Sequence, residues 1–325
     1  MKLMKMLALT VSSAALFSTA AAQQAYPDGS RPITVVVPFG PGSGTDIITR
    51  IISEEMAKDL GAPVVVMNRA GASGQVGTEY VAGTAPDGYT FLVGTNSTHS
   101  GNPFLFKTLR YDPKKDFEPV GRLTINPLAF LVKGDSQVSN PADFIEYAKS
   151  NPKKLVYGYG NTGGQVSAGM LVHMANLDTL AVPYKTTPQL FTDIINGQVD
   201  FGFVDFAASR PFLSSGRLKA LATTSRERLP IEPNLPTMSE TPGLEDFGLF
   251  AWLGLFAPAG TPDHVIERMN KALNVALNNP KVKSRLQNDT SSIVISTTIP
   301  EFQAFVDQQT ELWRETVKNA GIEPQ

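Results

Sequence analysis

Residues 35–46 read Val-Val-Val-Pro-Phe-Gly-Pro-Gly-Ser-Gly-Thr-Asp, a β-branched run that passes through a glycine-rich turn into the amphipathic stretch Ile47 to Leu60. That pattern is a strand delivering a helix N-terminus. Between Gly40 and Gly44 every residue except Ser43 is Gly or Pro, so backbone NH groups stand clear of bulky side chains and can point at an anion. Nothing around the turn has the look of catalytic machinery, so the segment reads as holding a small anion rather than transforming it.

Strand and helix signals alternate through the rest of the chain, which predicts an α/β fold with mainly parallel sheets covered by helices. A first series has strands at Ile33–Val37, Val64–Met67 and Tyr89–Gly94, with helices near Thr45–Leu60 and Gly74–Ala82. A second series starts after Asn126-Pro127. Its strands are Leu128–Val132, Leu155–Tyr157, Leu180–Val182, Val199–Val204 and Leu218–Thr223, interleaved with helices. A proline-rich loop, Leu229 to Pro242, precedes the apolar strand Phe250–Phe256 and helices near Asp263–Leu277 and Pro300–Asn319. Two such series joined by short crossings predict two α/β lobes around a central cleft, with a hinge of two extended segments and lobes of residues 26–126 plus 250–325 and 127–249. Ligands in open α/β sheets sit beyond the carboxyl ends of strands, so the loops there are the candidate site.

The chain has 325 residues, and its first 22 have the three parts of a secretory signal peptide: Lys2 and Lys5, an apolar run from Met6 to Phe17, and Ala20-Ala21-Ala22. Cleavage is expected after Ala22, giving an exported protein and taking the net charge from −2 to about −4. An acidic balance argues against nucleic acid as a partner. With no cysteine there is no disulfide, thiolate nucleophile or cysteinyl metal site.

A second loop, Gly158-Tyr159-Gly160-Asn161-Thr162-Gly163-Gly164-Gln165, again stands between a strand and a helix. Its glycines satisfy G-x-G-x-x-G, but Asp178 precedes the following strand instead of ending it, so the dinucleotide reading fails on context. No cofactor and no metal are expected. Of the three histidines, His173 and His264 fall on helices, and His99 follows the third strand where it could face the cleft. No nucleophile elbow or metal-binding spacing accompanies any of them, so no catalytic residue is assigned. The remaining polar candidates are Ser97, Thr98, Tyr184-Lys185 and Asp205, all at strand ends. Trp252, Phe39, Tyr159 and Phe206 are candidate apolar walls.

These blocks together resemble the extracytoplasmic solute receptors of tripartite tricarboxylate transporters, the Bug family. The likeness rests on Tyr26-Pro27, Arg31-Pro32-Ile33, Val37 to Asp46, Asn68-Arg69-Ala70-Gly71-Ala72-Ser73-Gly74, Ala85-Pro86-Asp87-Gly88-Tyr89-Thr90, Val182-Pro183-Tyr184-Lys185, Gly197-Gln198-Val199-Asp200 and Ala257 to Pro262. The resemblance implies a type II periplasmic binding protein of the Venus-flytrap kind that brings an organic carboxylate to membrane transporter subunits, here expected as a monomer. It implies that the carboxylate is gripped between the first-lobe loop (Phe39, Gly40, Gly42, Ser43, Gly44, Thr45, Asp46) and the second-lobe loop (Tyr159, Gly160, Asn161, Thr162, Gly163, Gly164, Gln165). Tyr159 departs from the family's small residue, and Ser167 stands near the family's histidine position, which favours an aromatic or otherwise extended carboxylate. A ligand sensor or a hydrolase of a small acid are the alternatives.

Overall fold

Buried β-branched runs form the strands and singly apolar faces form the helices, and the computed structural model describes residues 26–151 and 155–324. The expected signal segment lies outside the described residues. The first series is β1 (Ile33–Val37), α1 (Gly44–Leu60), β2 (Val64–Asn68), α2 (Gln75–Ala82), β3 (Thr90–Thr95), a π-helical segment over Asn96–Gly101 and the short α3 (Asn102–Leu105). Then comes β4 (Phe117–Lys133), followed by α4 (Pro141–Ser150), β5 (Leu155–Tyr159), α5 (Thr162–Ala175), β6 (Thr179–Pro183) and α6 (Thr187–Ile195). The chain continues through β7 (Phe201–Asp205), α7 (Phe206–Ser214), β8 (Leu218–Thr223), β9 (Phe250–Pro258), α8 (Asp263–Asn278), α9 (Pro280–Thr290) and α10 (Ile299–Asn319). No helix among the described residues is long and apolar enough to cross a membrane.

The strands lie in the order β2-β1-β3-β9-β4-β7-β5-β6, with β8 also on β4. Parallel pairing joins β2, β1 and β3 in one half and β6, β5 and β7 in the other. The inner strands run antiparallel to their neighbours, as strands that cross between halves and return must.

β4 is the element that sets the geometry. Its first part, Phe117 to Pro127, pairs with β9, and from Leu128 onward it pairs with β7 and β8. β3 runs with β4, since both are antiparallel to β9, while β7 runs against it. The carboxyl ends of the two parallel sets therefore point at each other. Through β9, Thr95 at the end of β3 lies level with Thr124, and Asp205 at the end of β7 pairs with Leu128. Four residues of strand, about 13 Å, separate those levels.

Helices α1, α8 and α9 cover one face of the first half, burying Ile48, Ile52, Met269, Leu273 and Leu286 against Val35, Phe91 and Leu255. In the second half Phe130, Phe144, Phe201 and Phe203 form an aromatic core, with Phe130 and Phe203 stacked at 4.8 Å. Around α10, Trp252, Phe256 and Phe302 pack so closely on β9 that a Cβ on Gly254 would lie 2.1 Å from the Phe302 ring. Trp252 and Phe206, expected as cleft walls, are instead fully enclosed core residues. Overpacking of this kind costs ~1–3 kcal/mol. Gly254→Ala is expected to lower unfolding free energy by about that amount in urea titrations, and an unchanged midpoint would mean that α10 yields freely.

Candidate functional site

Because the strand ends face each other, the N-termini of α1, α5, α7 and the π-helical segment gather between the halves. The first loop tightens through Gly42, whose φ of +79° suits glycine, and Ser43 caps α1 by accepting from the Asp46 amide. Asp46 is committed within its own half. Its carboxylate accepts from the Gly42 amide, Arg50 and the Asn68 side-chain amide at 2.9–3.0 Å. Burial opposes that charge, but the three donors prevail and hold the carboxyl below its ordinary value. The same Asn68 amide donates to the Phe39 carbonyl and so fixes the loop's shape. The two leading amides of α1, on Gly44 and Thr45, precede the first intrahelical bond and keep their donors available.

Across the cleft, Asn161 caps α5 by accepting from the Gly164 amide at 2.9 Å, which leaves the amides of Thr162 and Gly163 leading. Gly164 is packed against the Phe203 carbonyl, and Gln165 is buried, its Oε1 without a donor among the described residues. The Thr162 hydroxyl donates to Asn102 Oδ1 at 2.6 Å, a bond from one half to the other. Asn102 in turn donates to the Ser73 carbonyl and to Tyr111, whose hydroxyl donates to the Thr98 carbonyl.

The halves are in direct contact at glycines. A Cβ on Gly44 would lie 2.7 Å from the Asp205 Cβ, one on Gly40 would lie 3.1 Å from Thr186, and one on Gly42 would lie 3.9 Å from Pro188. One on Gly163 would lie 3.2 Å from Asn96 Nδ2. Asn96 is buried, and this amide nitrogen has no acceptor from the protein among the described residues. The sequence reading passed over Asn96 for its neighbours, although the strand-end position was the same. Ser97 and Thr98 are buried in the cap of the π-helical segment: both their amides turn to Thr95 Oγ1, and the Thr98 hydroxyl bonds Thr95 and His99. His99 itself does not face the cleft. It stacks on Phe256 at 3.9 Å, and burial lowers its pKa to about 3, so it stays neutral.

Between the halves opens a cavity of about 340 Å³, lined by Ala72, Ser73 and Phe106 on one side and by Tyr159, Gly160 and Pro183 to Lys185 on the other. That volume falls within the range of small-molecule sites. Ala72 and Ser73 hold left-handed φ values of 46° and 50°, a strain of ~1–3 kcal/mol each that persists because Asn102 grips the Ser73 carbonyl. Of the expected site residues, Tyr159, Gly160 and Tyr184 line this cavity. Tyr184 turns its hydroxyl to Asp193 at 2.6 Å, and burial followed by that carboxylate pushes its pKa up to about 12. Ala72, Ser73, Phe106 and Pro183 were not singled out as site residues, although the run Gly71 to Gly74 signals an unusual turn.

The family described as tripartite tricarboxylate transporter family receptor matches residues 48–322. The chain belongs to that family. Among solved structures, the periplasmic binding protein BugD is 35% identical, with a TM-score of 0.86 over 91% of this chain and 99% of that one. Rpa4515 of R. palustris, solved with adipate, is 31% identical, with a TM-score of 0.89 over 93% of this chain and 100% of its own. MatC from Rhodopseudomonas palustris, with bound malate, is 33% identical, with a TM-score of 0.83 over 89% and 99%. The chain is thus a solute-binding receptor with the two-lobed α/β fold of periplasmic binding proteins.

One receptor residue carries an unusual charge. Asp205, pressed against Gly44, is desolvated by the contact, and its carboxyl is pushed up to about 6 from an ordinary 3.8, its own backbone NH opposing only weakly. The folded chain therefore takes up a proton that the unfolded chain releases. This group's contribution to stability is complete below about pH 4 and is lost as pH rises through about 6. Asp205→Asn is expected to raise unfolding free energy by about 1–2 kcal/mol near neutral pH and to change little near pH 4. Urea titrations at both pH values measure this, and an equal effect at the two would exclude burial of the charge as the cause.

Proposed function

We propose that this receptor is exported to the periplasm, captures a small organic carboxylate between its lobes and delivers it unaltered to the membrane subunits of a tripartite tricarboxylate-type transporter. The observation that carries the reading is the Asn96 side-chain amide, buried against Gly163 at the N-terminus of α5 without an acceptor among the described residues. A carboxylate oxygen at that point receives one donor from each half, with the leading amides of α5 and the favourable end of its dipole behind it. The α1 loop from Phe39 to Asp46 supplies the facing wall. Its Gly44 and Thr45 amides are the remaining donors of the cradle, and Ser43 and Asp46 hold it in shape.

Residues 26–126 with 250–325, and residues 127–249, act as the two bodies, hinged where β4 changes partners and where β9 begins. The cavity beside Gly160 receives the rest of the ligand, and its aromatic lining favours an aromatic or extended acid over a compact one. The adipate and malate held by the two relatives support a carboxylate as the ligand class. The protein works as a monomer.

A thermal-shift screen over aliphatic and aromatic carboxylates tests the reading. A ligand at 100 times its Kd is expected to stabilise the fold by about 2.7 kcal/mol. Asn96→Ala is expected to weaken binding of the best acid about 10- to 100-fold, the effect of one charge-assisted hydrogen bond, with the fold intact by circular dichroism. Unchanged affinity in Asn96→Ala would remove this amide from the site, and a screen without any stabilising carboxylate would defeat the proposal.

A further inference from the structure

Asn102 opens the short α3 and is fully buried. Its Nδ2 serves its own half, donating to the Ser73 carbonyl at 3.0 Å and to the Tyr111 hydroxyl at 3.4 Å. Those bonds fix which way the amide faces. Only the nitrogen can donate to a carbonyl, and the Tyr111 proton is already committed to the Thr98 carbonyl. Oδ1 is therefore left as an acceptor, and the donor that meets it is the Thr162 hydroxyl of the opposite half, at 2.6 Å. Thr162 is the first residue of α5, so the side chain that Asn102 holds belongs to one of the leading amides of the proposed cradle. Contact at this point depends on a glycine: a Cβ on Gly101 would lie 2.5 Å from Thr162 Cγ2. A hydrogen bond inside one half survives whether the halves are together or apart, and its loss weakens the fold alone. One made between the halves counts only while they meet, and its loss weakens the grip on a ligand.

We propose that Asn102 is a positioning residue for ligand capture, which makes no contact with the guest and acts through the Thr162 hydroxyl to hold the first turn of α5 against Asn96 while the halves are together. This rests on the reading of the cleft as a carboxylate site. The clasp stabilises the closed form without adding a contact to the ligand, so its effect falls on escape. Opening must break the bond, whereas a ligand entering the open form meets a site in which it has not yet been made.

Calorimetry and stopped-flow kinetics with adipate, malate and benzoate test this, using whichever acid the wild type binds best. Thr162→Val keeps the branched shape and removes the hydroxyl, which leaves Oδ1 buried without a donor on closure. Affinity is expected to fall about five- to thirtyfold, carried by faster dissociation, with the association rate within about twofold of wild type. Thr162→Ser, which restores the hydroxyl, is expected to bind within about threefold of wild type. Thr162→Ala, with less bulk against Gly101, is expected to lose as much as Thr162→Val and replaces it if the valine variant does not fold. Asn102→Ala is expected to show a comparable loss, and adding Thr162→Val to it is expected to cost less than a further factor of about two, because the two groups act as a pair. Where Asn102→Ala does not fold, the Thr162 series decides alone. Affinity within about twofold of wild type in both Thr162→Val and Thr162→Ala overturns this proposal and leaves the carboxylate site standing. So does a loss carried by association, one that Thr162→Ser shares in full, or losses that multiply in the double variant. If none of the three acids binds the wild type, the carboxylate reading falls and this proposal falls with it.

Discussion

The two passages of the chain between the halves are tied to one residue. Thr224 accepts from the Leu128 amide through its hydroxyl, returns its own amide to the Leu128 carbonyl, and takes the Leu249 amide on its carbonyl, at 2.9–3.1 Å. Leu128 is where β4 leaves β9 for β7 and β8, and Leu249 directly precedes β9. One fully buried threonine therefore registers both crossing strands. Just upstream, Ile125 pairs with Ile293, and Asn126 accepts from the Ser292 hydroxyl at 2.6 Å, so the first half is pinned to the same level. Pro127 has no amide to offer and stands where the pairing partner changes, the one place in a central strand where a missing donor is tolerated. Since strand direction on either side is fixed by this continuous β4, the helix N-termini of the two halves cannot avoid facing one another.

Facing N-termini bring like partial charges together, and small residues are what let them approach. Gly40, Gly42 and Gly44 meet Thr186, Pro188 and Asp205, while Gly101 and Gly163 meet Thr162 and Asn96. Any side chain at Gly44 or Gly101 would collide at under 3 Å with the opposite half. The glycine-rich loops thus serve two physical ends. In the proposed site they leave amides bare for an anion, and they let the halves approach closely, which no reading of one loop alone reveals. Conformational freedom as such is required at Gly42 and Gly74, where φ is positive.

Most of the strand and helix order was legible because β-branched runs and apolar helical faces alternate cleanly. The failures are specific. β4 was visible only from Leu128, since Pro119, Gly121 and Pro127 read as interruptions, yet the strand absorbs them through two register shifts against β9. Asn96 to Gly101 has loop composition, and it winds into a π-helical turn because Thr95 and Thr98 cap each other and α10 and α5 enclose it. Helix α9 was missed for its low hydropathy, although Asn279-Pro280 is a cap with proline at the first position and Val282, Leu286 and Thr290 repeat every four residues. At the site, the loops were legible but their division of labour was not. Ser43 Oγ accepts from the Asp46 amide, and the Asp46 carboxylate accepts from Gly42, Arg50 and Asn68, a set of partners that spacing alone does not show.

How strongly a ligand drives closure follows from which half supplies each donor. Moving a two-state equilibrium from 1:99 to 99:1 takes about 5.5 kcal/mol of differential affinity, and a ligand held equally well by the open form moves nothing. In the proposed site Asn96 comes from the first half and the leading amides of α5 from the second, so a carboxylate shared between them is fully bound only when the halves meet. At roughly 1.5–3 kcal/mol per charge-assisted bond, two or three such bonds cover the requirement. Closing without an acceptor would strand the Asn96 amide at a cost of ~1–3 kcal/mol. It would also desolvate Asp205 against Gly44, which at neutral pH opposes closure further. On the proposed reading these two polar groups, Asn96 buried and Asp205 partly so, are each a small liability to the fold, and contact between the halves is favoured by a guest that brings acceptors to the middle of the cleft.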